Sequence, residues 1–289
     1  MRVGVIGLGH MGCRVAQRLL EAGHDVEGWD RKAPIVSELA RVQLAESPAA
    51  LASRVDALFT VLADDEAVRS VVLDDAVLSS LREGALYADL STTSPGLAEE
   101  LAEAGREAGV DVLDVEMSGS TPQAEEGALV LLVGGDPPVL ERMRPLLESI
   151  SSSIVYMGGH GAGANMKLAT NTLLGVGMQA LAEAIAFGEA AGLDRGRLLD
   201  ALAALAVVAP AHRPKLDNAR RGEYPVAFAL RLMDKDFRLV LAAAEERGVA
   251  MPATRASAEA CAAALAGARE DVDFSVVIRD AERRLAGRR

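Results

Sequence analysis

A lysine and an asparagine stand four residues apart in the stretch GGHGAGANMKLATNTLL, residues 158–174. The glycine-rich lead-in changes there to an apolar helical pattern, and a helix places Lys167 and Asn171 one turn apart on the same face. Partial burial disfavours the ammonium form of a lysine and lowers its pKa towards neutral pH. Such an amine can exchange a proton with a substrate oxygen that the Asn171 amide holds. The pair indicates acid–base chemistry, unless the predicted helix is wrong.

A glycine-rich turn near the start of the chain is the predicted cofactor site. Residues 2–6 predict a buried strand, and three glycines follow at the spacing GxGxxG before a helical pattern begins. Glycines there allow a tight turn and let the backbone approach a pyrophosphate. A second apolar run, residues 26–29, ends at Asp30, which completes the dinucleotide-binding fingerprint. The predicted cofactor contacts of the loop are Gly7, Leu8, Gly9, His10, Met11 and Gly12.

The residues after the second strand bear on which dinucleotide is bound. An acidic side chain such as Asp30 hydrogen-bonds the ribose hydroxyls of NAD and repels the 2′-phosphate of NADP. Arg31, with Lys32 behind it, could hold that phosphate, or Arg31 could lie in solvent over the adenine ring. Asp30 therefore favours NAD, and Arg31 leaves NADP open.

The first half of the chain alternates strands with helices, which predicts a mostly parallel, doubly wound Rossmann sheet. The further predicted strands are residues 57–62, 85–90, 110–115, 129–133 and 153–156. Ligands of such sheets bind at the carboxyl ends of the strands. Leu62 and Ala63, at the end of one strand, are therefore expected to contact the cofactor.

Hydroxyl side chains follow two neighbouring strands of this set. The run 91–94, which contains Thr92, follows one strand, and Ser118, Gly119 and Ser120 follow the next. These residues either face the cofactor crevice or only cap the helices that follow them. A glycine between two serines leaves backbone open to a carboxylate, which favours a ligand site at Ser118, Gly119 and Ser120.

From residue 162 onward the pattern is helical, without a convincing strand. The apolar pattern over residues 164–191 would span roughly 40 Å as a helix, which is typical of a helix that joins two domains. We predict a dinucleotide-binding domain over residues 1–160 and an all-helical substrate and oligomerisation domain over residues 161–289. The excess of apolar residues in the helical half predicts a homodimer or homotetramer, with an Ala-rich bundle within one chain as the alternative.

Three prolines predict a loop over residues 210–225 in this helical half. His212 and Arg213 in that loop either meet a second acidic group of a longer substrate or lie in solvent, and solvation is the favoured alternative. Lys235 lies further on, in a helical pattern over residues 228–244.

The composition excludes several classes of protein. The net charge of −12 and the pI near 4.9 argue against nucleic acid or an anionic membrane as a partner. Cys13 and Cys261 are far apart and the four histidines are scattered, so neither a disulfide nor a metal site is expected. The start MRVGVIGLG runs directly into a strand and has no signal-peptide pattern. We expect a cytoplasmic protein without a membrane-spanning segment.

The chain resembles the β-hydroxyacid dehydrogenase family, which includes 3-hydroxyisobutyrate dehydrogenases and glyoxylate and succinic semialdehyde reductases. Residues 7–12 (GLGHMG) look like the family's cofactor loop, and residues 89–95 (DLSTTSP) are similar to its D-x-S-T loop. Residues 118–135 resemble its substrate-binding segment, residues 161–171 (GAGANMKLATN) its catalytic segment, and residues 233–239 (MDKDFRL) its Lys-Asp motif. Five motifs in the right order are far more specific than any one of them.

The resemblance implies a role for each matching residue. Lys167 would be the catalytic acid or base, with Asn171 as its orienting partner. Thr92 and Lys235 would lie near the nicotinamide and the substrate. The residues that would hold the substrate are Ser118, Gly119, Ser120 and Lys235.

Two positions depart from the family's common pattern. Many members have Ser-Gly-Gly where this chain has Ser118, Gly119 and Ser120, which looks more like the semialdehyde and glyoxylate reductase branch. Those reductases commonly carry Asn-Arg-Thr where this chain has Asp-Arg-Lys at residues 30–32. The substrate and cofactor clues thus point to different branches.

The expected reaction is a reversible hydride transfer between NAD(P) and a small 3-hydroxy acid or its semialdehyde, with Lys167 exchanging the hydroxyl proton. One alternative is an imine reductase, which shares the architecture but usually lacks the lysine. Another is a non-catalytic dinucleotide-binding module, which would be expected to have lost Lys167 or Asn171.

Overall fold

A computed structural model describes residues 1–32, 42–267 and 271–286 of the chain. The chain divides into two units, Met1–Lys167 and Leu168–Arg289. The first unit is a sheet covered by helices, and the second is helical. The predicted fold class, a doubly wound domain followed by a helical one, is confirmed.

In the described residues the first unit forms one sheet of eight strands. They are β1 (Arg2–Ile6), β2 (Asp25–Trp29), β3 (Gln43–Leu44), β4 (Ala57–Thr60), β5 (Leu86–Asp89), β6 (Asp111–Ser118), β7 (Leu129–Gly135) and β8 (Ser151–Gly158). Their order across the sheet is β3-β2-β1-β4-β5-β6-β7-β8. β6 and β7 are antiparallel, and the other neighbouring pairs are parallel. The chain reverses its direction of winding between β1 and β4, so a crevice for ligands is expected at their carboxyl ends.

Helices connect these strands. They are α1 (His10–Glu21), α2 (Pro48–Ala52), α3 (Asp65–Val68) with a π-helical turn (Arg69–Asp74), α4 (Val77–Ser80), α5 (Pro95–Ala108), α6 (Thr121–Glu126) and α7 (Pro137–Glu148). A further helix, α8 (Ala162–Ala190), begins in the first unit and continues into the second.

Both faces of the central strands of the sheet are buried, as a doubly wound fold requires. Val3 and Val5 of β1 lie in a core shared with Leu19 of α1, whereas Ile6 lies in a second core with Leu58. Alternation of side chains along the strand sends these residues to opposite faces. The apolar run that predicted β1 is therefore explained by helices on both sides.

The second unit is an assembly of helices around its own apolar core. After α8 come α9 (Arg195–Ala204), α10 (Arg213–Arg221), α11 (Leu230–Glu246), α12 (Pro252–Gly267), a 3₁₀ turn (Phe274–Val276) and α13 (Val277–Ala286). The prediction of a loop over residues 210–225 is wrong for residues 213–221, which form α10 and include Pro214. This proline occupies the first turn of α10, where the missing N–H is no loss.

One helix among the described residues, Ala162–Ala190, is long and apolar enough to cross a membrane by length and composition alone. The core helix of a soluble protein meets the same criteria, so the finding is weak evidence for a membrane. Lys167, Glu183 and Glu189 interrupt the apolar sequence of this helix.

Candidate active site

The glycine loop between β1 and α1 is shaped by two glycines that cannot carry a side chain. Gly7 has φ +92, and a Cβ there would lie 2.3 Å from the carbonyl oxygen of Val61. A Cβ on Gly12 would lie 1.8 Å from the carbonyl oxygen of Gly7. Gly9 differs, because a Cβ there would meet no atom within 4 Å. The loop is thus tightly packed at both ends and open at Gly9.

The open side of the loop is the N-terminus of α1. Gly9 is the N-cap of this helix, and no side chain in the described part of the chain caps it. The N–H groups of a first helical turn and the positive end of the helix dipole favour an anion such as a pyrophosphate. The loop therefore fits the diphosphate of a dinucleotide.

The Asp30 carboxylate is fixed by two backbone N–H groups. Its Oδ2 accepts a hydrogen bond from Leu8 N at 2.7 Å, and its Oδ1 accepts one from Lys32 N at 2.8 Å. Asp30 thus ties the end of β2 to the glycine loop, while the side chains of Arg31 and Lys32 are exposed. A fixed negative charge at this point borders the place where a dinucleotide ribose is expected.

A buried hydrogen-bond chain joins the carboxyl ends of β4 and β5. Tyr87 OH and Thr60 Oγ1 are 2.8 Å apart, and Thr60 donates to Asp89 Oδ1 at 2.8 Å. The backbone N–H of Ser91 also donates to Asp89 Oδ1, and Ser91 Oγ accepts from Leu62 N at 2.8 Å. The Ser91 hydroxyl therefore positions the segment that contains Leu62 and the exposed Ala63, both predicted cofactor contacts.

Burial raises the pKa of Asp89 to about 6 from 3.8. The folded protein then binds a proton on the Asp89 carboxyl more tightly than the unfolded chain does. This protonation stabilises the fold fully below pH 3.8, and the stabilisation is lost as the pH rises through about 6. We expect Asp89→Asn, whose Oδ1 still accepts both hydrogen bonds, to gain about 2–3 kcal/mol in unfolding free energy relative to the wild type between pH 4 and pH 7. Urea unfolding at several pH values measures this difference. A constant difference between the two proteins across this range would contradict it.

Ser118 and Ser120, at and just after the end of β6, have different surroundings. Gly119 has φ +136, a backbone conformation that favours glycine. Ser120 N and Ser120 Oγ both donate to Gln123 Oε1, at 2.9 and 2.8 Å, at the start of α6. Ser120 therefore makes the helix-capping contacts that were the alternative to ligand binding, and Ser118 is half-buried at the end of the strand.

Lys167 reaches the same strand end from α8. The Asp114 carboxylate of β6 accepts hydrogen bonds from Gly161 N at 3.0 Å and Ala164 N at 3.1 Å, so it binds the first turn of the helix. One turn later, Lys167 Nζ donates to the carbonyl oxygen of Met117 at 2.6 Å. This places the ammonium beside the carbonyl that directly precedes Ser118.

Glu116 is a buried acid that the sequence reasoning missed. Its side chain lies in β6, the residue is 1% exposed, and its Oε2 accepts a hydrogen bond from Thr92 Oγ1 at 3.3 Å. The strand predicted over residues 110–115 ended before Glu116, and the available signal was an acidic side chain between the apolar Val115 and Met117, which is rare at a buried position.

In the second unit, Asn171 lies one turn after Lys167 in α8 and is buried. Its Nδ2 donates to Asp236 Oδ2 at 2.6 Å, and Lys235 Nζ lies 3.0 Å from Asp236 Oδ1. Because the amide nitrogen is bound to Asp236, the amide oxygen of Asn171 is directed elsewhere as an acceptor. The contact between Asn171 and Asp236 was also missed by sequence reasoning.

His212 corrects the expectation of a solvated loop. It is 5% exposed, and its Nε2 lies 2.9 Å from the carbonyl oxygen of Leu174 in α8. Burial lowers the pKa of His212. It is a packing residue of the second unit, whereas Arg213 is exposed, as expected, although its Nε donates to Val208 O.

Two family models match the chain. The NAD binding domain of 6-phosphogluconate dehydrogenase matches residues 2–158. The model described as the NAD-binding domain of NADP-dependent 3-hydroxyisobutyrate dehydrogenase matches residues 161–280.

Individual proteins match along almost the whole chain. Glyoxylate/succinic semialdehyde reductase 1 of Arabidopsis thaliana is 34% identical over 281 residues, which are 96% of this chain and 97% of the relative. The solved structure of Mycobacterium tuberculosis 3-hydroxyisobutyrate dehydrogenase with L-serine has a TM-score of 0.85 and 31% identity, and the match covers 96% of this chain and 98% of that one. An imine reductase of Myxococcus stipitatus with NADP⁺ is 21% identical at a TM-score of 0.67, covering 96% of this chain and 99% of that one, and this shows the fold alone.

Proposed function

Because the chain belongs to the β-hydroxyacid dehydrogenase family and is therefore an NAD(P)-dependent hydroxyacid oxidoreductase, we propose that its substrates are a small 3-hydroxy acid and the matching semialdehyde or keto acid. The observation that carries the proposal is the position of Lys167, whose Nζ lies 2.6 Å from the carbonyl oxygen of Met117, next to the predicted ligand-binding segment that begins at Ser118.

The first unit has the features that a dinucleotide needs. The open position at Gly9 and the uncapped start of α1 would hold the diphosphate, and Asp30 would hold the adenosine ribose. Leu62, Ala63 and Thr92 would border the nicotinamide. When bound, the nicotinamide supplies or accepts the hydride, and the protein orients the partners and moves the proton.

Lys167 is proposed to exchange the proton of the substrate oxygen. In the direction of reduction its ammonium donates this proton, and in oxidation its neutral amine accepts it. The amide oxygen of Asn171, oriented by Asp236, would accept a hydrogen bond from the ammonium or from the substrate hydroxyl. An imine reductase or a non-catalytic module does not need this lysine.

The substrate carboxylate is proposed to bind the backbone around Gly119, with Ser118 as a further donor, and Lys235 of the second unit remains a predicted substrate contact. Because Ser120 N and Ser120 Oγ both donate to Gln123 Oε1, the backbone N–H of Gly119 is favoured over the donors of Ser120 here. The ion pair between Lys235 and Asp236 fixes the lysine but offsets part of its charge.

A reduction screen tests the proposed function. The purified protein is given glyoxylate and the semialdehydes of succinate, methylmalonate and tartronate, with NADH and NADPH in parallel, and a cyclic imine as the competing substrate. We expect turnover of at least one semialdehyde or oxo acid and none of the imine. Turnover of the imine alone would overturn the proposal in favour of an imine reductase. Cofactor binding without any turnover would favour the non-catalytic module.

We propose that NAD is the preferred cofactor, because the Asp30 carboxylate would repel a 2′-phosphate. Repulsion of about 1–2 kcal/mol corresponds to about a tenfold preference for NADH in kcat/KM. Asp30→Asn keeps an acceptor for Leu8 N but removes the charge, so it should reduce this preference by about tenfold. Steady-state kinetics with both cofactors measure the ratio, and Asp25→Asn at the opposite end of β2 is the matched control. A wild-type preference for NADPH would contradict the proposal.

We propose that the helical unit forms a homodimer or homotetramer. Leu173 and Phe187 of α8 are each 75% exposed, and they lie about four turns apart on one side of the helix. Apolar side chains this exposed are typical of an interface between subunits. Light scattering should give the mass of a dimer or tetramer for the wild type and of a monomer for Leu173→Asp with Phe187→Asp. A monomeric wild type would contradict the proposal.

We also propose a cofactor domain over residues 1–160 and a helical domain over residues 161–289. The change of matching family model between residues 158 and 161 supports this division.

A cytoplasmic location is a prediction that cell fractionation would test.

A further inference from the structure

Glu116 is buried, but it has no part in the roles proposed for Lys167, Asn171 and the cofactor contacts. It is 1% exposed, and a carboxylate is costly to bury unless hydrogen bonds or an opposite charge compensate it. One compensating contact is the hydrogen bond from Thr92 Oγ1 at 3.3 Å. Thr92 belongs to the D-x-S-T loop, so this contact already ties Glu116 to the proposed cofactor site.

The register of β6 places the Glu116 side chain on the side where α8 begins. Side chains two residues apart in a strand share a face, so Asp114 and Glu116 point the same way. Asp114 binds the first turn of α8 through Gly161 N and Ala164 N. Glu116 therefore lies on the side of β6 that faces α8, two residues closer than Asp114 to the carboxyl end of the strand.

The path of α8 brings Lys167 to the same point. A Cβ on Gly163 would lie 2.7 Å from the carbonyl oxygen of Leu132, and Leu132 is the register partner of Glu116 on β7. Gly163 and Lys167 are four residues apart and share a face of the helix. Lys167 then ends at the carbonyl oxygen of Met117, the residue after Glu116. The carboxylate and the ammonium are thus on the same side of the same strand end.

We propose that Glu116 is a positioning residue that keeps Lys167 in its ammonium form and aims it at the substrate oxygen, an inference that rests on the proposed function. A nearby opposite charge favours the charged form of a lysine and opposes the effect of burial. The resting enzyme then carries the proton that reduction of a carbonyl consumes. Glu116 thereby adapts the site to reduction of an aldehyde or keto acid.

The other titratable groups near this end of β6 in the first unit make contacts of their own. Asp114 on β6 is bound to the first turn of α8, and His160 precedes that turn. Asp89 on β5 is bound to Thr60 and to the backbone of Ser91. Removing the charge of Glu116 alone therefore changes the field at Lys167 without breaking these contacts.

The test is the pH dependence of reduction in Glu116→Gln. Without the carboxylate the pKa of Lys167 falls, so the alkaline decline of kcat should move to lower pH by about one to two units. Glu116→Asp, which keeps the charge, should shift it less. Glu107→Gln, an exposed acid near the end of α5, is the control that removes one charge elsewhere and should leave the profile in place. An unshifted alkaline limb in Glu116→Gln would overturn the proposal.

A second measurement needs neither turnover nor a stable Glu116 variant. The chain has lysines only at residues 32, 167, 215 and 235, so protein labelled with ¹³C at lysine Cε gives few signals, which Lys→Arg variants assign. The Lys167 signal of the wild type should remain that of an ammonium at pH 8. A neutral amine at pH 8 would overturn the proposal even if Glu116→Gln does not fold. An ammonium at pH 8 in a protein that turns over no substrate would instead locate the failure in the proposed function.

Discussion

Lys167→Met is expected to lower kcat for carbonyl reduction by about 10²- to 10⁴-fold, the usual contribution of a general acid. Methionine fills similar space along α8 but has no proton to donate, and the Met117 carbonyl loses its hydrogen bond from Nζ. The glycine loop and Asp30 are unchanged, so the affinity for NADH should stay close to that of the wild type. Steady-state kinetics and a fluorescence titration with NADH measure the two quantities.

Arg106→Met is the matched control for this substitution, because it also replaces a cation by methionine, at an exposed position of α5. It should leave kcat unchanged. Undiminished turnover of the best substrate in both Lys167→Met and Lys167→Ala would contradict the role of the lysine. A parallel loss of NADH affinity in Lys167→Met would mean that the substitution disturbs the fold rather than the proton transfer.

Gly12→Ala is expected to destabilise the protein by about 3 kcal/mol or more, because its Cβ would lie 1.8 Å from the carbonyl oxygen of Gly7 and the backbone must move. The displaced loop should also bind NADH about 100-fold less tightly or worse, a loss of about 3 kcal/mol. Thermal unfolding and calorimetric titration measure the two effects.

Gly9→Ala separates the two effects within the same loop. A Cβ at Gly9 meets no protein atom within 4 Å, so the unfolding free energy should change by less than about 1 kcal/mol. The added methyl group would occupy the space into which the diphosphate must come, and NADH affinity should fall by about 100-fold. Unchanged affinity in Gly9→Ala would contradict the placement of the cofactor at this loop.

The features that depend on neighbours in the chain were predictable from the sequence. The apolar run of β1, the glycine spacing and the helical pattern of α8 are local signals, and each one gave the right element. The loop of Gly7 and Gly12 could be predicted because its constraint, backbone packed against backbone, allows only glycine.

The features that depend on residues far apart in the chain were not predictable. The contact of Asn171 with Asp236 joins two helices 65 residues apart, and nothing in either helix pattern indicates it. Glu116 was missed because its position relative to Lys167 depends on where α8 crosses β6, which no local pattern indicates. α10 was missed because its proline was interpreted as a break, although a proline in the first turn favours a helix.

We expect this chain to move a hydride between a nicotinamide and the carbonyl carbon of a small oxo acid. NADH deuterated at C4, one epimer at a time, is incubated with the best substrate of the screen, and the product is examined by mass spectrometry. We expect one epimer to transfer a single deuterium to the new carbinol carbon and the other to transfer none. Product without deuterium from either epimer, or the absence of any product although NADH binds, would contradict the account.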